Sequence, residues 1–199
     1  MQKETMEWTN IWWDHADNCE AGRILFIGDS ITNGYRPKLR EAYGGDKMID
    51  MLATSNAVDD PAYEKQIVFM LEQYPYRAVH FNNGLHGFHL DAAAYKQKMR
   101  QIAQLLLKSV PGVVLVLSTP ICAKDDPSSF DPSLNTVVQE RNKAVLELSQ
   151  ELALPVDDLY EAACEIPHLR AADQYHYTPE GYVYLADQIK RRLGVLSIL

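Results

Sequence analysis

The stretch RILFIG (residues 23–28) is apolar at four successive positions and closes on a glycine. A strand that is apolar at successive positions, not at alternate ones, is covered on both faces. Sheets covered on both faces are built from parallel strands joined by helices. Further runs of this kind are AVHFNN (78–83) and VVLVLS (113–118), with weaker ones at KMIDML (47–52) and LPVDD (154–158). Helical patterns lie between them. Asp91 caps a run carrying Tyr95, Met99, Ile102 and Leu106 at helical spacing. Asp131 and Pro132 open a second, with Leu134, Val138, Val145, Leu148 and Leu152 on one face. Thr178 and Pro179 open the last, whose stripe is Tyr182, Leu185, Ala186, Ile189 and Leu193.

Alternating strand and helix predicts an α/β fold: a five-stranded parallel sheet of order 2-1-3-4-5 with helices on both faces. Ligands bind such sheets outside the carboxyl ends of the strands, at the switch point between the first and third. The first strand ends at GDSIT and the third at NNGLHG, so both meet at one crevice. All 199 residues are expected to form one domain, with residues 1–22 an N-terminal extension packed on it. Trp8, Trp12 and Trp13 in that extension read as packing or an edge cover, with carbohydrate stacking as the second reading.

Composition narrows the function. Hydrophobic residues make up 47% and charged residues 23%, as in a soluble globular protein. The net charge of -8 argues against nucleic acid or an anionic membrane as the main partner, since both need a basic face. No apolar run is long enough to span a bilayer. The first residues lack the pattern of a signal peptide, so the expected location is cytoplasmic as given, or periplasmic or secreted if a leader was removed. Cys19, Cys122 and Cys164 are odd in number and scattered, which implies reduced, mostly buried thiols.

Ser30 stands at the turn after the first strand, preceded by Gly28 and Asp29. A nucleophilic serine needs such a tight turn, with backbone N–H groups near the developing oxyanion; the plainer reading is a helix-capping loop serine. Asp173 and His176 in DQYHYTPEGY are three apart, suited to a base and the carboxylate that holds its tautomer, or to a solvated Asx-type turn. His86, His89 and Asp91 do not match the H-E-x-x-H zinc helix and read as a polar loop. His15, His80 and His168 read as structural.

GDSIT and D-x-x-H closely resemble the first and last blocks of the SGNH (GDSL-type) hydrolase family. LSTPI (117–121), a helix with Asn142 and then PVDDLY look like its carbohydrate-esterase branches. The resemblance runs from about Arg23 to Leu193. It implies a flavodoxin-like α/β/α sandwich and hydrolysis of esters without metal or cofactor. Ser30 resembles the nucleophile and first oxyanion donor, His176 the base and Asp173 its orienting group. Two blocks depart from the pattern. ATSNAVDDP lacks the second block's glycine, which leaves Thr54 or Ser55 to offer that N–H. Aligned on Gly84, the third block Gly-x-Asn-Asp reads GLHG, with His86 in the asparagine's slot; alternatively Asn82 or Asn83 makes the oxyanion contact. The expectation is a serine esterase removing small acyl groups, acetyl above all, from a carbohydrate or oligosaccharide. The rivals are a lipid esterase or thioesterase of the same family, and a non-catalytic ligand-binding domain on the same fold.

Overall fold

The computed structural model describes residues 2–20 and 22–198. Its elements in chain order are β1 (Thr9–Trp12), β2 (Arg23–Gly28), α1 (Ser30–Ala42), β3 (Ile49–Thr54), α2 (Pro61–Gln73), β4 (Tyr76–Phe81), α3 (Ala92–Ser109) and β5 (Gly112–Leu117). There follow a small hairpin of β6 (Cys122–Ala123) and β7 (Asp126–Phe130), then α4 (Leu134–Leu152), β8 (Val156–Asp158), α5 (Leu159–Cys164) and α6 (Pro179–Val195). No described helix is long and apolar enough to cross a membrane.

The main sheet has the order β1-β3-β2-β4-β5-β8. Its parallel strands β3, β2, β4, β5 and β8 reproduce the arrangement 2-1-3-4-5. The sheet departs from expectation at one edge, where β1 adds a sixth strand antiparallel to β3, with Thr9 opposite Thr54 and Trp12 opposite Met51. Four largely exposed residues with one partner strand leave no buried run to read. Because β1 runs antiparallel, its start lies beside the carboxyl end of β3. The residues preceding Thr9 are thereby delivered to the crevice side of the sheet.

Successive strand residues serve opposite faces. Leu25 and Ile27 join Val79, Phe81, Val113 and Leu115 under α2, α3 and the second half of α4. Ile24 and Phe26 join Ile49, Ala78, Val114 and Val116 under α1, α5 and α6. Every residue of β2 is buried, so truncating one of its apolar side chains to alanine costs about 2–5 kcal/mol. The helix starts follow their caps: Asp91 accepts from Ala94 N–H, Thr178 from Gly181 N–H, and Asp131 from the N–H groups of Ser133 and Leu134.

The face of α4 differs from its apolar reading. Leu134 and Leu152 are only half-buried, whereas Asn135, Arg141 and Asn142 are buried among Val138, Val145 and Leu148. Asn142 clamps the end of β5, accepting from Ser118 N–H at 2.8 Å and donating to Ser118 O at 2.9 Å. The thiols differ as well: Cys122 is buried, but Cys19 and Cys164 are exposed. His80 is a core residue, bonded through Nε2 to Asp157 at 2.9 Å.

Candidate active site

Ser30 is the first residue of α1, directly after β2. Asp29 caps the helix by accepting from Ile31 N–H at 2.9 Å. Gly28 permits the turn: a Cβ there would lie 2.1 Å from Thr32 Oγ1. The first N–H groups of a helix have no acceptor within it and carry the positive end of its dipole, so Ser30 N–H is suited to meet negative charge. Gly28 pairs with Ala53 of β3 and Ile27 with Phe81 of β4, which seats this turn at the switch point.

His176 and Asp173 lie on the loop before α6. That loop folds back on itself, with Thr178 N–H donating to Leu169 O and Ala171 N–H to His176 O. Arg170 ties it to Pro120 O and stacks over the Tyr177 ring at 4.3 Å, while Gln174 donates to Cys122 O. His176 Nε2 is thereby placed 2.8 Å from Ser30 Oγ, and its Nδ1 2.8 Å from Asp173 Oδ2. Partial burial works to raise the pKa of Asp173. The His176 N–H, the His176 ring and the Tyr175 N–H outweigh it and hold the carboxyl below its usual range. An ionised Asp173 accepts a hydrogen bond from His176 Nδ1–H, which leaves Nε2 as the acceptor for the Ser30 hydroxyl.

The remaining candidates separate. Ser55 N–H donates to Trp8 O at 3.1 Å, so the residue just before β1 has taken the group that sequence offered to an oxyanion, and Ser55 is removed from that role. Thr54 is fully buried, its Oγ1 within 2.9 Å of Trp8 O and 2.7 Å of Asn56 Oδ1. Asn82 commits both amide hydrogens, to Val116 O and Ser118 Oγ, which excludes its side chain as a donor to substrate. Asn83 donates to Asn56 O and is 1% exposed. Gly84 lies against Ser118. His86 alone of this group lines the cleft that holds Ser30 and His176.

His86 Nδ1 meets Glu4, His89 Nε2 meets Asp59, and Asp91 caps α3, so the three turn to separate partners. Among the described residues no group of three or more His, Cys, Asp or Glu is disposed to hold a metal ion.

The cleft has a volume of about 660 Å³, within the range of small-molecule sites. Besides Ser30, His86 and His176 it is lined by Glu4, Trp8, Asn10, Asn33, Leu85, Phe88 and Tyr175. Glu4, Trp8 and Asn10 come from the N-terminal segment; of the three only Trp8 was anticipated there, as the second, carbohydrate-stacking reading of the tryptophans. For Trp8 and Asn10 the clustering of aromatic and polar residues in EWTNIWW (7–13) was the available signal; only the antiparallel direction of β1 turns it toward Ser30.

No family model matches the sequence, and no curated protein matches it. Solved structures do. A carbohydrate acetylesterase from Sinorhizobium meliloti superposes with a TM-score of 0.71 at 15% identity, over 87% of this chain and 99% of that one. An alpha/beta hydrolase from the metagenome of Lake Arreo gives 0.70 at 18% identity, over 88% and 96%. The chain has the fold of these hydrolases. An acetylxylan esterase from Geobacillus stearothermophilus is similar at a TM-score of 0.66 and 18% identity, over 87% and 94%. At such identities the likeness is one of fold: a mainly parallel sheet flanked by helices.

Proposed function

We propose that the chain is a serine esterase of the SGNH type that removes small acyl groups, acetyl above all, from a carbohydrate. The observation that carries this reading is the hydrogen-bonded line from Asp173 through His176 to Ser30, which ends in an open cleft. The neighbours in fold are described as acetylxylan and carbohydrate acetylesterases, which supports both the acyl group and the substrate class.

Ser30 Oγ attacks the ester carbonyl carbon while His176 Nε2 takes its proton. The oxyanion forms against Ser30 N–H at the positive end of α1. Collapse breaks the bond to the alcohol oxygen, which leaves with the proton from His176, and Ser30 keeps the acyl group. Water then attacks the acyl carbon with His176 again as base, releasing the acid and restoring Ser30. Asp173 holds the imidazole in the required tautomer and stabilises the imidazolium formed in each half.

The cleft wall favours a polar alcohol. Asn10, Asn33, Glu4 and His86 stand beside Trp8 and Phe88, a mix of hydroxyl partners and flat apolar surface that suits a sugar. Trp8, Leu85, Phe88 and Tyr175 also give the cleft apolar wall, so rates on acetyl against long-chain esters separate this reading from a lipid esterase.

The test is acetate release across acetylated oligosaccharides with Ser30→Ala as the blank. The wild type is expected to release acetate and to be labelled at Ser30 by a fluorophosphonate. A folded protein that does neither is a binding domain on this fold.

A further inference from the structure

Two carboxylate–imidazole pairs present their rings to the cleft. His176 is held from behind by Asp173; His86, on the loop after β4, is held in the same manner by Glu4, whose Oε1 lies 2.8 Å from His86 Nδ1. Both rings line the same cavity as Ser30. Both partners of the second pair are anchored. Lys3 pairs with Asp60, and Glu7 accepts from Ser55 Oγ and Asn56 Nδ2, so the residues flanking Glu4 are tied to the body of the protein. The main chain of His86 is held by Arg141, whose Nη1 lies 2.7 Å from His86 O.

This pairing fixes what His86 can do. An ionised carboxylate only accepts, so Nδ1 carries the ring proton and, in the neutral ring, Nε2 presents a lone pair. A lone pair repels an oxyanion and attracts a hydroxyl hydrogen. We infer that Glu4 makes His86 the acceptor for a hydroxyl on the alcohol part of the substrate, and so selects esters of polyhydroxylated alcohols. The inference rests on the serine-esterase reading above and deepens it.

The surroundings agree. The Trp8 ring stands edge-on to His86, with centroids 6.4 Å apart. Beside them Asn10 Nδ2 donates to Asn33 Oδ1 at 2.7 Å, which leaves the Asn10 carbonyl as an acceptor and the Asn33 amide as a donor in the same cleft. An acceptor imidazole, an amide of each polarity and an aromatic wall together recognise a ring bearing several hydroxyls. Asp173–His176 thus serves the ester bond being broken, and Glu4–His86 the remaining hydroxyls of the alcohol.

Two measurements test this. Long-range ¹H–¹⁵N correlation spectra of the wild type, taken where the ring is neutral, should show His86 protonated at Nδ1 and bare at Nε2. Glu4→Ala should move the proton toward Nε2, and a wild-type ring protonated at Nε2 overturns the inference. The second is a ratio: kcat/KM for a mono-O-acetylated methyl xyloside over kcat/KM for ethyl acetate. Glu4→Ala and His86→Phe should each lower that ratio roughly tenfold, the equivalent of about one hydrogen bond. A parallel fall on both esters makes His86 an oxyanion donor and overturns the inference alone. No change on either ester also overturns it. A wild type inactive on both, with Ser30 unlabelled by a fluorophosphonate, overturns the esterase reading and this inference with it.

Discussion

His176 Nε2 and Ser30 Oγ lie 2.8 Å apart although 146 residues separate them in the chain. One is fixed by the turn from β2 into α1, the other by a loop bonded to Pro120, Cys122 and Leu169. The alignment of the imidazole therefore depends on Asp173 for its tautomer and on the loop for its position. Asp173→Asn keeps the shape but lets an amide donate to Nδ1, which turns a proton on Nε2 toward Ser30. We expect kcat on an activated acetyl ester to fall roughly a thousandfold or more with KM little changed. Steady-state kinetics with a matched circular dichroism spectrum checks it.

The Asp173 carboxyl sits below its usual range because the His176 and Tyr175 contacts outweigh partial burial. A depressed carboxylate contributes stability that is present above its unfolded value and lost as pH falls through the folded one. The difference in melting temperature between wild type and Asp173→Asn should therefore hold at pH 5 to 7 and shrink as pH drops below about 4. The measurement is a pair of melting curves across that range. A difference that instead shrank between pH 7 and 5 would point to another group.

Much of this was legible in the chain, and the parts that were not have two physical causes. RILFIG, the caps Asp91 and Thr178, and the order of the parallel strands follow from local periodicity and from the rules of α/β crossovers. The meeting of Ser30 with His176 follows from which strand and helix ends each residue occupies. The burial of Asn135, Arg141 and Asn142 in α4 was not legible from periodicity, although the resemblance marked Asn142, because their partners (Ile121 N–H and the Tyr160 hydroxyl, carbonyls of the loop after β4, and Ser118) lie far off in sequence and leave no trace in helical spacing. Nor was Glu4: its role depends on β1 running antiparallel on the sheet edge, a choice that four exposed residues do not announce. The same edge pairing consumed Ser55 N–H, so one unread strand accounts for both differences.

His86 and His89 are bonded to different carboxylates, Glu4 and Asp59, and Asp91 is committed to capping α3. Converging three ligands on one ion at about 2 Å would break all of these contacts. Prolonged dialysis against a chelator should leave kcat/KM and the melting temperature unchanged, and added zinc should not raise either. Loss of activity on chelation, restored by one particular metal, would contradict this.

Gly84 packs against Ser118, and a Cβ at that position would lie 1.6 Å from Ser118 Oγ and 2.6 Å from its Cβ. Ser118 cannot turn aside freely, since Asn82 donates to its Oγ and Asn142 grips its backbone. Gly84→Ala is therefore expected to destabilise the protein by about 1–3 kcal/mol. Ser118→Gly should recover part of the loss in the double variant, although it also removes the Asn82 contact. Urea unfolding of the two single variants and the double variant gives the coupling directly.

Arg141 holds the whole loop that carries His86. It is 1% exposed, and its guanidinium donates to the carbonyls of Gly84, His86, Gly87 and Leu90. Its charge rests between the rings of Phe88 and Tyr95, with centroids at 5.0 and 4.8 Å. Burial lowers its pKa, as expected of a cation drawn from water and met mainly by neutral carbonyls. Arg141→Met preserves much of the stem but leaves those carbonyls without a donor. The expected loss is about 3 kcal/mol, which for a chain of this size lowers the melting temperature by roughly 6–12 °C. The urea midpoint should fall with the slope unchanged. Activity on the acetylated xyloside should fall further than stability alone predicts at a temperature where the variant is fully folded, because the His86 loop has lost its anchor. Arg141→Lys keeps the charge but has three donors on one nitrogen, too few and too narrowly placed to span the loop, and should recover only part of either loss.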